Sequence, residues 1–337
     1  MMAARDTQKI ICLIPPHYDF LCATVIDGLQ QLDCNLRCSE RTNNTTTGEF
    51  SGPDDLLPLC RDCDLIFLFS NTGYADRKKF VIVNNLAHKT VYIDGSDRHY
   101  SLEDPEAFQT FLLSFKRELP PLRSLLGADA ATRSFLEFLR RLKNYLRYRR
   151  RVPPLPFAAE RAYLESCTES TVRDIPVSCT LVPKSADSER ARINECVTNL
   201  NIPGACVGRV SHGHFAMDSR DECKSDYFKV LARSKISISY PGLGFDTGRF
   251  WEILASKALL FSPPLQIRMP HPFIEFKHFI PFNNLVQLKS RLLYYLNRNA
   301  ERECIVDAGY RHLLRYHTSK QRAKYLLDIV LPRVRGK

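Results

Sequence analysis

The feature that most constrains the fold is an alternation of short apolar runs with stretches of helical spacing. KIICLIPP (9–16), DLIFLFS (64–70) and KTVYIDGS (89–96) are apolar runs that end in small or polar residues. Helix-compatible stretches follow the first run at 20–32 and separate the other two at 76–88. Strands that alternate with helices are typical of a mostly parallel sheet with helices on both faces. The first half of the chain is therefore predicted to be α/β.

The second half repeats this rhythm and then becomes almost entirely helical in pattern from Val286 to Leu331. A second α/β unit is therefore predicted. Its predicted strands lie at 177–182, 205–210 and 235–240, and its predicted helices at 187–200 and 225–233.

The domain boundaries follow from the chain length and from one proline-rich segment. At 337 residues the chain is long enough for two cores. A helix is predicted over 130–150, and the prolines of VPPLPF (152–157) break it. We predict a first domain at 1–151, a linker at 152–171 and a second domain at 172–316.

Positive charge is concentrated in that helix. The formal net charge is +11, and eight basic residues from Arg133 to Arg151 face one acid, Glu137. An anionic donor, acceptor, membrane surface or nucleic acid would fit this charge. Nucleic acid is not expected, because no aromatic side chains that could stack on nucleobases alternate with these basic residues. An anionic membrane surface fits better, because one face of the helix is apolar. The alternative is a helix face that is simply solvated. The apolar residues are Phe135, Phe138, Leu139, Leu142 and Leu146.

Cysteine usage and hydropathy indicate the cytoplasm, with peripheral membrane contact as an option. Twelve cysteines are scattered from Cys12 to Cys304, and the first residues lack a secretory signal pattern. No window approaches the roughly 20 apolar residues that span a bilayer. Four cysteines have spacings loosely like a zinc site, but buried free thiols are the simpler interpretation: Cys34, Cys38, Cys60 and Cys63.

The segment 240–262 carries the clearest chemical signal. A predicted strand runs into a turn that contains Gly242 and Gly244, and a helix start follows, with Asp246 or Thr247 as the expected N-cap. The free amides and the positive dipole end of such a helix bind phosphate oxygens. A phosphate site is therefore predicted there.

Two charged residues in the new helix sharpen this prediction. Arg249 lies in the first turn, where a cation opposes the helix dipole and a bound diphosphate would reverse that effect. Glu252 lies one turn further on the same face, where its carboxylate could accept hydrogen bonds from a ribose diol. The alternative is a helix-surface salt bridge between the two.

The order DTGRFWE (246–252) resembles the donor-binding helix of GT-B glycosyltransferases, especially the spore-coat (CgeB-like) glycosyltransferase-like family and the glycosyl transferases group 1. The resemblance extends over most of 172–331, and more thinly to VYIDGSD (91–97). It implies two Rossmann-like domains facing across a cleft, the acceptor mainly on the first and the nucleotide-sugar donor on the second. It also implies no metal, no cofactor beyond the donor, and a final helix at 317–337 that crosses back to the first domain.

One departure from the family pattern leaves the stereochemistry open. Many retaining members have two glutamates eight positions apart, and counting back from Glu252 reaches Gly244. The ribose role carries over to Glu252, whereas Asp246 could replace the missing glutamate only if the loop bends differently. Two further cations, Lys184 and Arg209, follow or end strands and are candidates for the donor site, with solvated surface cations as the alternative.

The acceptor needs a general base, and His17 follows the first strand at the sheet edge where α/β proteins bind ligands. Asp19 could orient His17 or act as the base. A second polar cluster, at Asp94, Asp97 and His99, follows another strand, and ordinary turn formation is the alternative for all of them.

The predicted function is transfer of a sugar, of the hexosyltransferase kind, from a nucleotide-sugar donor to a glycan, lipid or small-molecule acceptor. The alternatives are a nucleotide-sugar-binding protein of the same fold without activity, or a peripheral protein that binds anions or a membrane surface. The acidic DCD (62–64) precedes a strand and is interpreted as a helix-to-strand turn rather than a metal site.

Overall fold

The chain forms two compact units. One consists of Met1–Phe157, Gln266–Pro270 and Ser319–Lys337, and the other of Ala158–Leu265 and His271–Thr318. A computed structural model describes residues 8–15, 19–39, 49–50, 53–99, 101–122, 135–166, 172–208 and 220–335.

The first unit contains a six-stranded sheet in the order β3-β2-β1-β4-β5-β6, with every pair of neighbours parallel. The central strands are almost wholly buried, as expected for a parallel sheet with helices on both faces. The predicted alternation is thus confirmed in this half. The strands are β1 (Lys9–Leu13), β2 (Asn35–Cys38), β3 (Glu49–Phe50), β4 (Leu65–Phe69), β5 (Thr90–Asp94) and β6 (Leu113–Lys116).

The helices predicted at 20–32 and 130–150 are present as Phe20–Gln30 and Phe135–Tyr148, with 130–134 outside the described residues, while Pro53–Asp62 and Ala107–Thr110 were not predicted. The stretch predicted at 76–88 is a shorter helix followed by a 3-10 turn, because Asn85 adopts a φ of 58°, which ends a helix. The helices are α1 (Phe20–Gln30), α2 (Pro53–Asp62), α3 (Tyr74–Val83), α4 (Ala107–Thr110) and α5 (Phe135–Tyr148).

The second unit contains a five-stranded parallel sheet in the order β11-β10-β9-β7-β8. Its core lies on one face of the sheet, between the strands and three helices: Glu189–Thr198, Leu285–Leu296 and Asn299–Tyr316. The strands are β7 (Ile175–Cys179), β8 (Cys206–Val207), β9 (Ser234–Ile238), β10 (Leu259–Ser262) and β11 (Ile280–Pro281), and the helices are α6 (Arg161–Ser166), α7 (Glu189–Thr198), α8 (Arg220–Arg233), α9 (Gly248–Ala255), α10 (Leu285–Leu296) and α11 (Asn299–Tyr316).

Two predicted strands of this unit were wrong in their bounds. The strand predicted at 177–182 is β7, which ends at Cys179; Thr180 and Leu181 are buried, and the loop is exposed from Val182. The strand predicted at 205–210 is only Cys206–Val207 within the described residues, because Gly208 takes a φ of 90°. Edge strands can be this short because only one side of them needs a hydrogen-bonding partner.

The last helix, α12 (Ser319–Arg335), packs on α1 in the first unit. Gly28 of α1 lies so close to the Ser319 carbonyl that an added Cβ would overlap it. The proline segment after α5 also belongs to this unit, since Leu155 donates its N–H to the Lys116 carbonyl at 2.9 Å, extending the edge of the sheet beside β6.

Candidate functional site

The strand order of the second sheet contains one switch point. From β7 the chain passes to β8 on one side and then to β9, β10 and β11 on the other. Parallel sheets bind ligands outside the carboxyl ends of the strands at such a point. Helix α7 follows β7 and helix α9 follows β9, so both helices begin at this edge.

The start of α9 is held in place without a side-chain cap. Thr247 is the N-cap residue in extended conformation, but its side chain does not cap the helix, and its Oγ1 lies 3.3 Å from the Ser239 hydroxyl. Asp246, the other predicted N-cap, is buried and accepts a hydrogen bond from the Trp251 indole N–H at 2.9 Å. Thr247 therefore leaves the first amides of α9 without a cap from its own side chain, and the positive end of the helix dipole lies there.

A tyrosine links the two charged residues of α9. Arg249 Nε donates to Tyr227 Oη at 3.4 Å, and that hydroxyl donates to Glu252 Oε2 at 2.8 Å. Burial disfavours the charge on Arg249, but Tyr227 and Glu252 outweigh it and raise the pKa of the guanidinium. Burial and the Glu252 charge raise the pKa of Tyr227, so its hydroxyl stays protonated.

Arg190 is a second guanidinium at this edge, and the sequence interpretation missed it. It lies in the first turn of α7 and donates to the carbonyls of Pro241 at 3.2 Å, Tyr240 at 3.1 Å and Val182 at 3.3 Å. Burial lowers its pKa, and the positive charge of Arg249 lowers it further. The like charge of Arg249 thus disfavours the charge on Arg190, which an anion placed near both would relieve.

The predicted glycine turn is present beside Arg190. Gly242 N–H donates to the Gly244 carbonyl at 3.1 Å, and Gly244 is buried. A Cβ at Gly242 would lie 3.1 Å from Arg190 Nη2, so a larger residue would press on the guanidinium. Of the other predicted donor residues, Lys184 is exposed in the loop after β7, and Arg209 lies outside the described residues.

Comparison with known proteins identifies the fold. Residues 191–328 match the profile of the glycosyl transferase-like family. No curated protein matches the sequence significantly. The fold is that of a glycosyltransferase from Rickettsia africae, with a TM-score of 0.62 and 9% identity over 99% of this chain and 100% of that one.

Two other solved structures have the same fold. An alpha-glucosyltransferase in complex with UDP-glucose and DNA containing an abasic site gives a TM-score of 0.61 and 10% identity over 96% of this chain and 100% of that one. Anabaena Alr3699/HepE in complex with UDP-glucose gives a TM-score of 0.57 and 7% identity, also over 96% of this chain and 100% of that one. This chain has the GT-B fold. The α/β prediction and the resemblance to GT-B glycosyltransferases are confirmed, while the likeness to the spore-coat subgroup stays a prediction.

The first sheet of this GT-B chain has its own switch point, between β1 and β4. Asp19 lies there and caps α1, since its Oδ1 accepts the Cys22 N–H at 2.9 Å, and its Oδ2 accepts from the Asn71 side-chain amide. Both carboxylate oxygens therefore have structural partners. His17, the predicted base, lies outside the described residues.

The second polar cluster of the first unit consists of two ion pairs and a contact between a histidine and a glutamate. Asp94 is fully buried and pairs with Lys116 Nζ at 2.9 Å, Asp97 pairs with Arg117, and His99 Nδ1 lies 3.1 Å from Glu118 Oε2. Desolvation lowers the pKa of Lys116 despite the opposing charge of Asp94. The partners come from FKRE (115–118), so this cluster is tied into the sheet edge rather than open to a ligand.

Among the described residues, no three His, Cys, Asp or Glu side chains are grouped to hold a metal ion, and no helix is long and apolar enough to cross a membrane. The DCD segment is a helix-to-strand turn, as predicted: Asp62 ends α2 and pairs with Lys9, and Asp64 Oδ2 accepts the Lys9 N–H at 2.7 Å.

Proposed function

We propose that this protein is a glycosyltransferase whose nucleotide-sugar donor binds at the start of α9. The observation that carries this proposal is Arg190, which donates to the Tyr240 and Pro241 carbonyls in the turn before α9, together with Arg249 in the first turn of α9, at the switch point of the second sheet. A diphosphate would offset the repulsion of the two cations and accept hydrogen bonds from the helix amides.

Glu252 is the proposed ribose ligand. Its carboxylate lies one turn beyond Arg249, and Tyr227 holds one of its oxygens at 2.8 Å. A carboxylate fixed in this way is suited to accept hydrogen bonds from the 2′ and 3′ hydroxyls of a ribose. The related structures with UDP-glucose make UDP-sugars the first donors to test, with hexose as the transferred group.

The proposed chemistry needs no metal ion. Charge that develops on the departing diphosphate would be stabilised by Arg249, Arg190 and the α9 amides. His17 is the proposed general base for the acceptor hydroxyl, with Asp19 as a residue that positions it. The remaining donor-side candidates, Lys184 and Arg209, are proposed to contact the phosphates from neighbouring loops.

A donor panel tests the proposal. Purified protein would be incubated with radiolabelled UDP-, GDP-, ADP- and dTDP-sugars, alone and with glycan, lipid, small-molecule and DNA acceptors, with and without EDTA. We expect hydrolysis or transfer from at least one donor, insensitive to EDTA and lost in Arg249→Ala. The absence of both binding and turnover across the panel would overturn the donor site.

A second candidate, a nucleotide-sugar-binding protein without transferase activity, is favoured by one observation. Gly244 stands where many retaining members have a glutamate, and it is buried without any side chain to act on the sugar. Binding of a nucleotide sugar with no turnover for any donor and acceptor pair would establish this alternative.

A further inference from the structure

Helix α5 leaves large apolar side chains in solvent. Phe135 is 72% exposed, Leu136 77%, Leu139 42% and Leu146 51%. An amphipathic helix normally turns its apolar face to the core. Contiguous apolar side chains left exposed in this way mark an interaction surface.

The helix is nevertheless anchored to the first unit. Tyr148 at its end is buried with Leu102, Leu119 and Val152, and its ring packs edge-on against Phe108 with centroids 5.8 Å apart. Exposure of the apolar residues is thus not a consequence of a detached helix. The buried end determines which side of α5 faces outwards.

Apolar and basic side chains form adjoining stripes on the outward side. With 3.6 residues per turn, one set of apolar residues falls within an arc of about 60°, and a set of bases falls within a neighbouring arc of about 60°. We call these the apolar stripe, Phe135, Leu139, Leu142 and Leu146, and the cationic stripe, Arg140, Lys143 and Arg147. The Arg147 guanidinium also lies over the Phe108 ring, 4.8 Å from its centroid.

Most of the positive charge on this side is not neutralised within the protein. Glu137, the one acid of the helix, pairs with Arg141. In the part of the chain that the structure describes, Arg140, Lys143 and the exposed Arg150 have no acidic partner. A partner that covers this side must therefore supply negative charge next to an apolar layer.

We propose that α5 lies flat on an anionic lipid bilayer. The cationic stripe would contact the headgroups, and the apolar stripe would enter the boundary with the acyl chains. A helix of 14 residues is about 21 Å long, too short to cross a hydrocarbon core of about 30 Å. The proposal goes beyond the donor site and does not depend on it.

A bilayer explains both stripes, whereas nucleic acid explains only one. The phosphates of a nucleic acid would pair with the arginine and lysine side chains of α5 and would leave the apolar stripe in water. The bilayer interface presents anionic headgroups beside apolar chains, the same order as the two stripes. The long stems of arginine and lysine also allow their charges to reach the headgroups while apolar neighbours insert.

Vesicle sedimentation tests this. We expect the full-length protein to bind vesicles of phosphatidylcholine with 30 mol% phosphatidylserine at 0.1 M salt, and to bind pure phosphatidylcholine at least about 10-fold more weakly. Arg140→Gln/Lys143→Gln/Arg150→Gln should weaken binding by about 100-fold, at roughly 5-fold per cation. Leu139→Ser/Leu146→Ser should weaken it by about 10-fold or more.

Matched controls remove the same groups elsewhere. Lys289→Gln/Lys320→Gln/Lys324→Gln removes three exposed cations outside α5, and Val286→Ser/Leu293→Ser removes two exposed apolar side chains of α10. Both controls should bind within about 3-fold of wild type. Circular dichroism and UDP binding show whether each variant is folded and whether its donor site is intact.

Leu139→Trp tests insertion directly. Trp251, the natural tryptophan, is fully buried, so a vesicle-induced blue shift and quenching by brominated lipids would report on position 139. The proposal is overturned if Leu139→Ser/Leu146→Ser binds vesicles like wild type, or if no blue shift occurs. It is also overturned if duplex DNA or polyglutamate binds more tightly than vesicles and depends on the same residues.

Discussion

Arg249 opposes the dipole of the helix that carries it, and its surroundings explain why it is retained there. Tyr227 and Glu252 raise the pKa of its guanidinium, whereas the charge of Arg249 lowers the pKa of Arg190. In the proposed function, a bound anion would offset the repulsion between the two cations.

Removing this cation should weaken nucleotide binding strongly. Arg249→Ala is expected to raise the Kd for UDP about 10- to 100-fold, because a charge-assisted hydrogen bond contributes roughly 1.5–3 kcal/mol. Isothermal titration calorimetry measures this change. Arg192→Ala is the control, since Arg192 is an exposed arginine of α7 paired with Glu189. Equal affinities for the two variants would contradict the site.

The capping role of Asp19 can be tested separately from its charge. Asp19→Asn should change the free energy of unfolding by less than about 0.5 kcal/mol, because asparagine caps helices equally well, whereas Asp19→Ala should lose about 1 kcal/mol. Denaturant unfolding measures both. If the two variants were equally unstable, the hydrogen bond from Cys22 would not be the main role of this side chain in stability.

At the scale of elements, the contact between α1 and α12 depends on Gly28. Gly28→Ala should lower the free energy of unfolding by roughly 1–3 kcal/mol, because the new methyl group would overlap the Ser319 backbone, which cannot move without shifting α12. Lys320→Ala, an exposed change in α12, should have little effect. Far-UV circular dichroism in urea compares them, and equal midpoints would show that the helices can separate freely.

Two stacked histidines of the second unit make its stability depend on pH. The rings of His278 and His312 are 4.3 Å apart, and burial, followed by the charge of His312, lowers the pKa of His278 to about 4. Burial also lowers the pKa of His312. Since the folded pKa values lie below the unfolded value, their contribution to stability is full above about pH 6.5 and is lost as the pH falls towards 4.

His278→Asn should reduce this dependence. In the folded protein the Ile274 N–H donates to His278 Nδ1 at 3.0 Å. The side-chain oxygen of asparagine can accept the same hydrogen bond, but asparagine does not titrate. The loss of unfolding free energy between pH 7 and pH 5 should shrink by of order 1 kcal/mol. His88→Asn, at an exposed histidine of the first unit, is the matched control.

At the scale of the whole molecule, one tryptophan reports on one unit. Trp251 is fully buried in the second unit and hydrogen-bonded to Asp246, next to the proposed donor site. UDP at 100 times its Kd should stabilise the transition seen by Trp251 fluorescence by about 2.7 kcal/mol. Arg249→Ala should show almost no stabilisation at that same UDP concentration. A nucleotide that leaves the wild-type fluorescence transition unchanged would place its site elsewhere.

The sequence predicted the elements whose signals are local. The strands β4 and β5, the helix α5 and the strand, turn and helix from β9 to α9 all follow from apolar periodicity and glycine position. Thr247 as N-cap lies within the predicted pair. The family resemblance carried by Arg249 and Glu252 led to the fold that the structural comparisons confirm.

The local signals did not predict the contacts between distant segments. Arg190 and Tyr227 are 59 and 22 residues before Arg249, and only the parallel order of β7 and β9 brings all three to one edge of the sheet. The exposure of the apolar face of α5 was also undetermined, because periodicity identifies an apolar face but not what covers it. Local propensity thus determined the elements, while tertiary packing decided which side chains meet and which stay in solvent.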